Sequence, residues 1–189
     1  LAADLIKKSK NPIIISGGGI FYSEATNELS EFAKKHNIPT AQTVMGYSTM
    51  KKDDPYFLGA IGGFGGKEPN NFMKKTDLAI AIGTKLADFT TGSWANFENP
   101  NFKLVSINVS RFDANKHMAQ SIVGDAKVCL QDLTLALGNW KAEDDWHKKS
   151  RIAVNAWNNY LEKESGPTNQ ELPSYAHVAG AIYLSLIHI

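Results

Sequence analysis

Small residues follow directly after several apolar runs of this 189-residue chain. They are Gly17, Gly18 and Gly19 after the first run, Gly83 and Thr84 after a later one, then Asn108 and Asp125. At the carboxyl ends of parallel strands, glycine N–H groups and short polar side chains bind phosphate or ribose groups. A tight turn needs the same glycines for steric reasons, and Asp125 could simply cap a helix. Ligand contact and a structural role therefore both stay open.

A second glycine cluster runs from Leu58 to Gly66 and includes Gly59 and Gly62. Glycine weakens the interior of a helix or strand by roughly 0.5–1 kcal/mol relative to alanine, so we expect an irregular loop here. Such a loop could pass close to a ligand or another subunit. The alternative is a mobile connector.

Candidate catalytic side chains are scattered. The histidines at 36, 117, 147 and 177 stand singly, without the spacing of a zinc site, and no nucleophile elbow or phosphate-loop motif occurs. Asp88 and Asp113 are expected in loops at the edge of a crevice, with no evident partner for acid–base chemistry. A loop-structuring role is the favoured interpretation, and we predict neither catalytic nor metal-binding residues.

The surrounding pattern alternates strands and helices. Leu78–Ile82 is apolar without alternation, as in a central strand covered on both faces. Further strands are predicted at 13–16, 38–44, 104–109 and 121–123, with helices at 23–36, 69–75, after residue 125 and at 146–163. The aromatic stripe of the last helix is typical of packing rather than base stacking. The fold class is α/β, a doubly wound Rossmann-like parallel sheet of five to six strands.

Composition narrows the classes of partner. The hydrophobic share is 43% and the formal net charge is +1, which favours neither nucleic acid nor a membrane surface. The longest apolar runs are shorter than the roughly 18 residues of a membrane span. The single cysteine, Cys129, is compatible with a reducing cytoplasm and is expected in a helix core.

Composition shifts divide the chain into segments. Residues 1–140 carry the strand and helix repeats, residues 141–171 form a helix and a Gly/Pro-rich linker, and residues 172–183 begin a new unit. The final LSLIHI, residues 184–189, reads as the translation of a sequencing adapter. The alternative is a natural apolar helical turn.

Five segments together resemble the central domain of thiamine-diphosphate-dependent enzymes. They are PIIISGGGI (12–20), LGAIG (58–62), DLAIAIGTKLADFTTGSW (77–94), INVSRFDANKH (107–117) and VGDA (123–126). The DFTTGSW and FDANKH parts are most similar to the trihydroxycyclohexane-1,2-dione hydrolases of bacterial inositol catabolism. Acetolactate synthases share the outline but look different there.

The resemblance implies a three-domain parent enzyme, of which this is the middle piece. Thiamine diphosphate and Mg²⁺ would be bound by the two other domains, so the fragment alone is expected to be catalytically silent. The implied substrate is a small cyclic dione whose carbon–carbon bond is hydrolysed. The implied assembly is a cytoplasmic homo-oligomer formed through the missing domains.

In flavin-binding relatives the crevice of this domain holds FAD. The matching positions here are Gly17, Gly18, Gly19, Gly59, Gly62, Gly83, Thr84, Asn108 and Asp125. Two departures stand against FAD, because Lys85 replaces a frequent arginine and Asn108 replaces an aspartate. Trp94 is expected beside the crevice. An acetolactate-synthase-like parent with FAD and a non-catalytic nucleotide-binding module remain the alternatives.

Overall fold

The computed structural model describes residues 1–186. Its strands are β1 (Pro12–Ser16), β2 (Thr40–Gln42), β3 (Phe57–Ala60), β4 (Leu78–Ile82), β5 (Lys103–Asn108) and β6 (Gln120–Val123). Its α-helices are α1 (Ala2–Lys8), α2 (Gly19–Tyr22), α3 (Thr26–His36), α4 (Lys67–Met73), α5 (Asp88–Thr91), α6 (Arg111–Ala114), α7 (Ala126–Leu137), α8 (Asp144–Glu164) and α9 (Tyr175–Leu186). Short 3₁₀ turns occupy Val44–Gly46 and Lys116–Met118.

The strands form one six-stranded sheet in the order β3-β2-β1-β4-β5-β6, and every pairing is parallel. The predicted doubly wound α/β sheet is therefore confirmed. The strand order reverses between β1 and β4, which are neighbours in space but not in sequence. Ligand crevices of such sheets open at this switch point, outside the carboxyl ends of the strands.

Two hydrophobic cores lie on opposite faces of the sheet. Ile14 and Ile80 face a core closed by α1, α3 and α7, whereas Ile13 and Ala79 face a core closed by α4 and α8. Both central strands are buried along their whole length, which explains their uninterrupted apolar sequences. A fully buried isoleucine contributes about 1.5–3 kcal/mol, so this pair of strands anchors the fold.

Helix α8 packs on the sheet through its first half. The indole of Trp146 stacks on Phe72 with ring centroids 4.1 Å apart, and its Nε1 donates a hydrogen bond to the Pro12 carbonyl at 2.7 Å. Trp157, further along, lies against Gly66, where a Cβ atom would approach the indole to 2.6 Å. The predicted packing role holds for Trp146 and Trp157, whereas Tyr160 and Leu161, at the end of the predicted stripe, are 52% and 40% exposed.

Two predicted boundaries and one predicted loop are wrong. The helix predicted over 23–36 begins at Thr26, because the chain first forms the separate short α2. The strand predicted over 38–44 is only Thr40–Gln42, since Val44–Gly46 turns into a 3₁₀ helix. The glycine cluster was expected to exclude a strand, yet Gly59 lies inside β3. The edge position of β3 and a register shift opposite Gly59, whose φ is +114°, accommodate it.

The carboxyl-terminal helix α9 has no buried residue. Half of the predicted adapter-derived segment, residues 187–189, lies outside the described residues, and Leu184–Leu186 end α9. Within residues 1–186, the helices are all too short or too polar to cross a membrane.

Candidate functional site

A crevice of about 860 Å³ opens at the carboxyl edge of the sheet, at the switch point. The loops after β1, β4 and β5 form its walls, together with the 3₁₀ turn after β2. Five predicted site residues line it, namely Gly18, Gly19, Gly83, Thr84 and Asn108. The fold thus brings together glycine turns that are about 65 residues apart in sequence.

The glycines after β1 and β4 pack against each other. Gly83 has φ +62°, and a Cβ atom on Gly19 would lie 2.6 Å from the Gly83 Cα. A Cβ atom on Gly17 would collide with the Gly83 carbonyl oxygen. The Gly19 N–H also donates to that carbonyl at 3.0 Å. Close backbone approach therefore explains Gly17, Gly19 and Gly83 without a ligand, whereas Gly18 faces the crevice.

Asn108 uses both ends of its side-chain amide to join two crevice loops. Its Nδ2 donates to the Thr84 carbonyl at 3.2 Å, and its Oδ1 accepts from the Ser110 N–H at 2.9 Å. An aspartate could not donate to Thr84. The departure from aspartate noted in the sequence thus has a structural reason, since Asn108 holds the loops together.

Asp125 does not line the crevice but caps helix α7. Its carboxylate accepts from the backbone N–H groups of Lys127 at 2.9 Å and Val128 at 3.2 Å, as an N-cap does. Hydrogen bonding from Ser23, and then from the two backbone donors, lowers the pKa of the carboxyl group. The capping interpretation accounts for this residue.

Gly59 and Gly62 also lie outside the crevice lining. Gly59 faces the ring of Pro69, with 3.1 Å between a hypothetical Cβ and the Pro69 Cγ. Gly62 is bracketed by Asn70, which accepts from the Gly62 N–H at 2.8 Å and donates to its carbonyl at 3.0 Å. A Cβ atom on Gly62 would collide with the Phe89 carbonyl oxygen. The loop is therefore held in one path, which argues against a mobile connector.

This loop presents an aromatic wall at the mouth of the crevice. The rings of Phe64 and Phe89 stack with centroids 5.7 Å apart and 16° between their planes, and both side chains are more than 70% exposed. The Gly63 N–H donates to the Phe89 carbonyl at 2.7 Å and joins the two loops. Neither ring is predicted from the sequence to belong to a site. An aromatic residue between two glycine pairs was the available signal.

Exposed apolar side chains continue around the crevice. They are Tyr22, Val44, Met45 and Val109, all lining residues. Such a patch is larger than scattered surface hydrophobics and is typical of a surface that another polypeptide or a ligand covers.

The charged groups of the crevice are few. Lys85 is exposed, and Asp113 is paired with Lys116 at 2.6 Å between Oδ1 and Nζ. The hydrogen bond from Lys116 lowers the pKa of the Asp113 carboxyl group. A carboxylate held ionised by a lysine is a poor general acid. Asp113 lies in helix α6, whose N-cap is Ser110, and Asp88 begins helix α5, so neither lies in a loop as predicted.

Trp94 does not lie beside the crevice, contrary to expectation. Its ring contacts those of Phe97 and His117, at centroid distances of 5.1 and 4.3 Å, and lines a separate groove of about 570 Å³. The backbone at Gly92, Ser93 and Trp94 has φ values of +59°, +52° and +69°, and this left-handed turn directs the indole to the other groove.

The described residues do not fit a thiamine diphosphate and magnesium site. Across residues 1–186, no group of three or more His, Cys, Asp or Glu side chains is arranged to hold a metal ion. The crevice offers a single exposed cation, Lys85, among its lining residues. A diphosphate with its magnesium needs carboxylate or carbonyl ligands that this part of the chain does not assemble.

The chain is similar to known proteins of one family and to several relatives that share one name. The family described as thiamine pyrophosphate enzyme, central domain, matches residues 1–133. The chain is 41% identical over 162 residues to a 3D-(3,5/4)-trihydroxycyclohexane-1,2-dione hydrolase of Clostridium perfringens, covering 86% of the chain and 25% of the relative. Hydrolases of the same name from Clostridium botulinum and Bacillus cereus are 42% and 38% identical, over 85% and 86% of the chain and 25% of each relative. The chain thus spans about a quarter of the length of these curated relatives.

Proposed function

Because the chain belongs to the thiamine pyrophosphate enzyme central-domain family, we propose that it is the scaffold domain of a trihydroxycyclohexane-1,2-dione hydrolase. The parent enzyme would hydrolyse a carbon–carbon bond of the cyclic dione in inositol degradation. The observation that carries this proposal is the 41% identity to such a hydrolase over 86% of the chain. The family resemblance first stated from the sequence is confirmed, while the activity of the whole parent is the proposal.

In the parent enzyme, the other domains would bind thiamine diphosphate and Mg²⁺. Bound there, thiamine diphosphate would supply the nucleophile and the electron sink that cleavage of a carbon–carbon bond needs. This domain would position its neighbours and contribute no cofactor ligand. A cytoplasmic homo-oligomer that binds neither nucleic acid nor membrane completes the proposal.

The surface of the domain supports a scaffold role. The crevice rim carries Tyr22, Val44, Met45, Phe64 and Phe89 as exposed apolar side chains. At the other end of the chain, α9 is apolar and unburied. Both surfaces would be covered by neighbouring domains of a longer enzyme, as exposed patches of this kind usually are.

FAD in the crevice is the second candidate. The crevice volume of about 860 Å³ and the stacked pair Phe64 and Phe89 suit a planar ring system. Against it, Asn108 is engaged with Thr84 and Ser110, and Gly17 and Gly19 are engaged with Gly83. Calorimetric titration of the chain with FAD and ATP separates the candidates. A Kd of about 10 µM or tighter, near −7 kcal/mol, would establish a nucleotide site and favour the acetolactate-synthase-like parent.

The hydrolase proposal is tested by expressing the full-length gene product with thiamine diphosphate and Mg²⁺. We expect ring opening of trihydroxycyclohexane-1,2-dione. The reaction can be monitored through the protons it releases or by chromatography of the acid product. Turnover of 2-oxo acids to acetolactate, without ring opening, would overturn the assignment.

A further inference from the structure

The groove beside Trp94, of about 570 Å³, is a second concave surface of the domain. It lies against Lys103 and Gln120, the first residues of β5 and β6. Within residues 1–186 it shares no lining residue with the crevice. Its lining is mostly apolar or aromatic with a few polar groups, which is the composition of small-molecule sites of this size.

Backbone strain is concentrated in the walls of this groove. Eight non-glycine residues within residues 1–186 have left-handed φ values, and three of them line the groove. They are Trp94, His117 and Met118, at +69°, +60° and +54°. Such outliers are costly and cluster at ligand sites, where they fix the geometry that binding needs. Met118 gains no packing in return, because its side chain is 100% exposed, and a bound molecule would cover it.

The charge of the groove selects an anion. Lys103 lies in the lining and has no ion-pair partner within residues 1–186. None of the described Asp or Glu residues lines the groove, and Asp88, whose charge acts on the His117 ring, lies outside the lining. The Trp94 indole and the Gln120 amide add N–H donors. A carboxylate is the complementary group, because one lysine matches its single charge, whereas the nearly double charge of a phosphate needs more cations.

The walls determine the rest of the ligand. The rings of Trp94 and Phe102 each pack on Phe97, at centroid distances of 5.1 and 4.4 Å, so this aromatic wall is held in place. Aromatic faces of this kind bind a ring or a hydrocarbon chain. The flexible thioether of Met118 can adapt to bodies of different shape. An apolar body therefore fits beside the carboxylate.

We propose that this groove is a binding site for a small organic acid, with its carboxylate at Lys103 and its apolar body against Trp94, Phe102 and Met118. The site is independent of the proposed activity and of any nucleotide in the crevice, because the two linings are separate.

Titration of this chain with cyclohexanecarboxylate, followed by tryptophan fluorescence and by calorimetry, tests the proposal. Cyclohexanecarboxamide is the control ligand, because it has nearly the same shape without the charge. We expect saturable binding of the acid with a Kd of about 1 mM or tighter, and binding of the amide that is about tenfold weaker or more. Equal binding of the two ligands, or no saturation by the acid up to about 20 mM, would overturn the proposal.

A matched pair of lysine variants assigns the charge. Lys103→Met removes the cation of the groove, and Lys148→Met removes an exposed cation on α8, outside the groove. Both lysines are exposed, so neither change opens a cavity in the core. We expect Lys103→Met to weaken binding of the acid about tenfold or more and Lys148→Met to leave it unchanged. Wild-type affinity in Lys103→Met would show that the carboxylate lies elsewhere.

Methionine oxidation by hydrogen peroxide, read by mass spectrometry, locates the ligand on the unmodified chain. Met118 and Met45 are 100% and 76% exposed, so both should oxidise in the free chain. Saturating cyclohexanecarboxylate should slow the oxidation of Met118 and leave that of Met45, which lines the crevice, unchanged. Slower oxidation of Met45 with Met118 unaffected would place the acid in the crevice and contradict the proposal.

Discussion

The indole of Trp94 and the imidazole of His117 lie in contact, with ring centroids 4.3 Å apart and 58° between their planes. The two residues come from the DFTTGSW and FDANKH segments, which carried the resemblance to the dione hydrolases. Both have left-handed backbone φ values, +69° and +60°, which are unfavourable for side chains of this size. The ring contact therefore holds together two strained loops.

Protonation of His117 should quench Trp94 fluorescence. Burial, and then the charge of Lys116, lower the pKa of His117 from 6.5, so the midpoint should fall below that value. The measurement is a pH titration of the tryptophan fluorescence of wild type, from which the signal of Trp94→Phe is subtracted. His117→Gln should abolish the fluorescence step. His147→Gln should retain it, because His147 lies against Tyr56. A step that persists in His117→Gln would contradict the assignment.

His36 should make stability depend on pH. Its ring is fully buried, its Nδ1 lies 2.8 Å from the Trp140 carbonyl, and its Nε2 has no partner within the described residues. Desolvation lowers the pKa of His36 below the unfolded value of 6.5. The unfolded chain then binds more protons, so this stabilisation is complete above pH 6.5 and is lost as the pH falls towards the folded pKa.

Urea unfolding between pH 5 and pH 8 measures this effect. His36→Gln should flatten the dependence, whereas His177→Gln, at a partly exposed position on α9, should leave it unchanged. An equally steep dependence in His36→Gln would show that another group is responsible.

Gly83→Ala should be much more destabilising than Gly92→Ala, although both glycines have φ near +60°. At Gly92 the nearest atom to an added Cβ is 3.5 Å away, so only backbone strain of about 1–2 kcal/mol applies. At Gly83 the new methyl group would also overlap Gly19, which brings the total to about 3 kcal/mol or more. Urea denaturation of both variants measures the difference. Equal effects would mean that the two glycine turns do not pack as described.

Asn108→Asp should destabilise the domain by about 1–3 kcal/mol at pH 7, because a carboxylate cannot donate to the Thr84 carbonyl. Asn101→Asp is the matched control, since that side chain is exposed. Unfolding free energies from urea titration give the comparison. An Asn108→Asp variant that is as stable as wild type and gains FAD binding would instead support the flavin crevice.

The sheet could be predicted because its central strands are buried on both faces and bounded by glycine. Leu78–Ile82 matches β4 as expected, and Asp125 caps α7 as its position indicated. The range predicted for β2 begins too early because Ile38 is apolar and as deeply buried as a strand residue. Ile38 nevertheless precedes the strand. Burial alone does not distinguish these conformations.

The misjudged site details depend on contacts between distant residues. Asn108 finds its acceptor at Thr84, on the loop after a neighbouring strand, and no local pattern reveals that partner. Trp94 leaves the crevice because Ser93 and Trp94 adopt left-handed φ values, for which non-glycine residues give no sequence signal. The aromatic wall depends on Asn70 holding Gly62, another contact that only the fold creates.

The most direct test of the account is isothermal titration of this chain with thiamine diphosphate and Mg²⁺, beside the full-length gene product. A scaffold domain predicts saturable binding to the full-length protein and none to the chain up to about 1 mM ligand. Saturable binding of thiamine diphosphate to the chain alone would contradict it, because cofactor ligands would then lie within this domain.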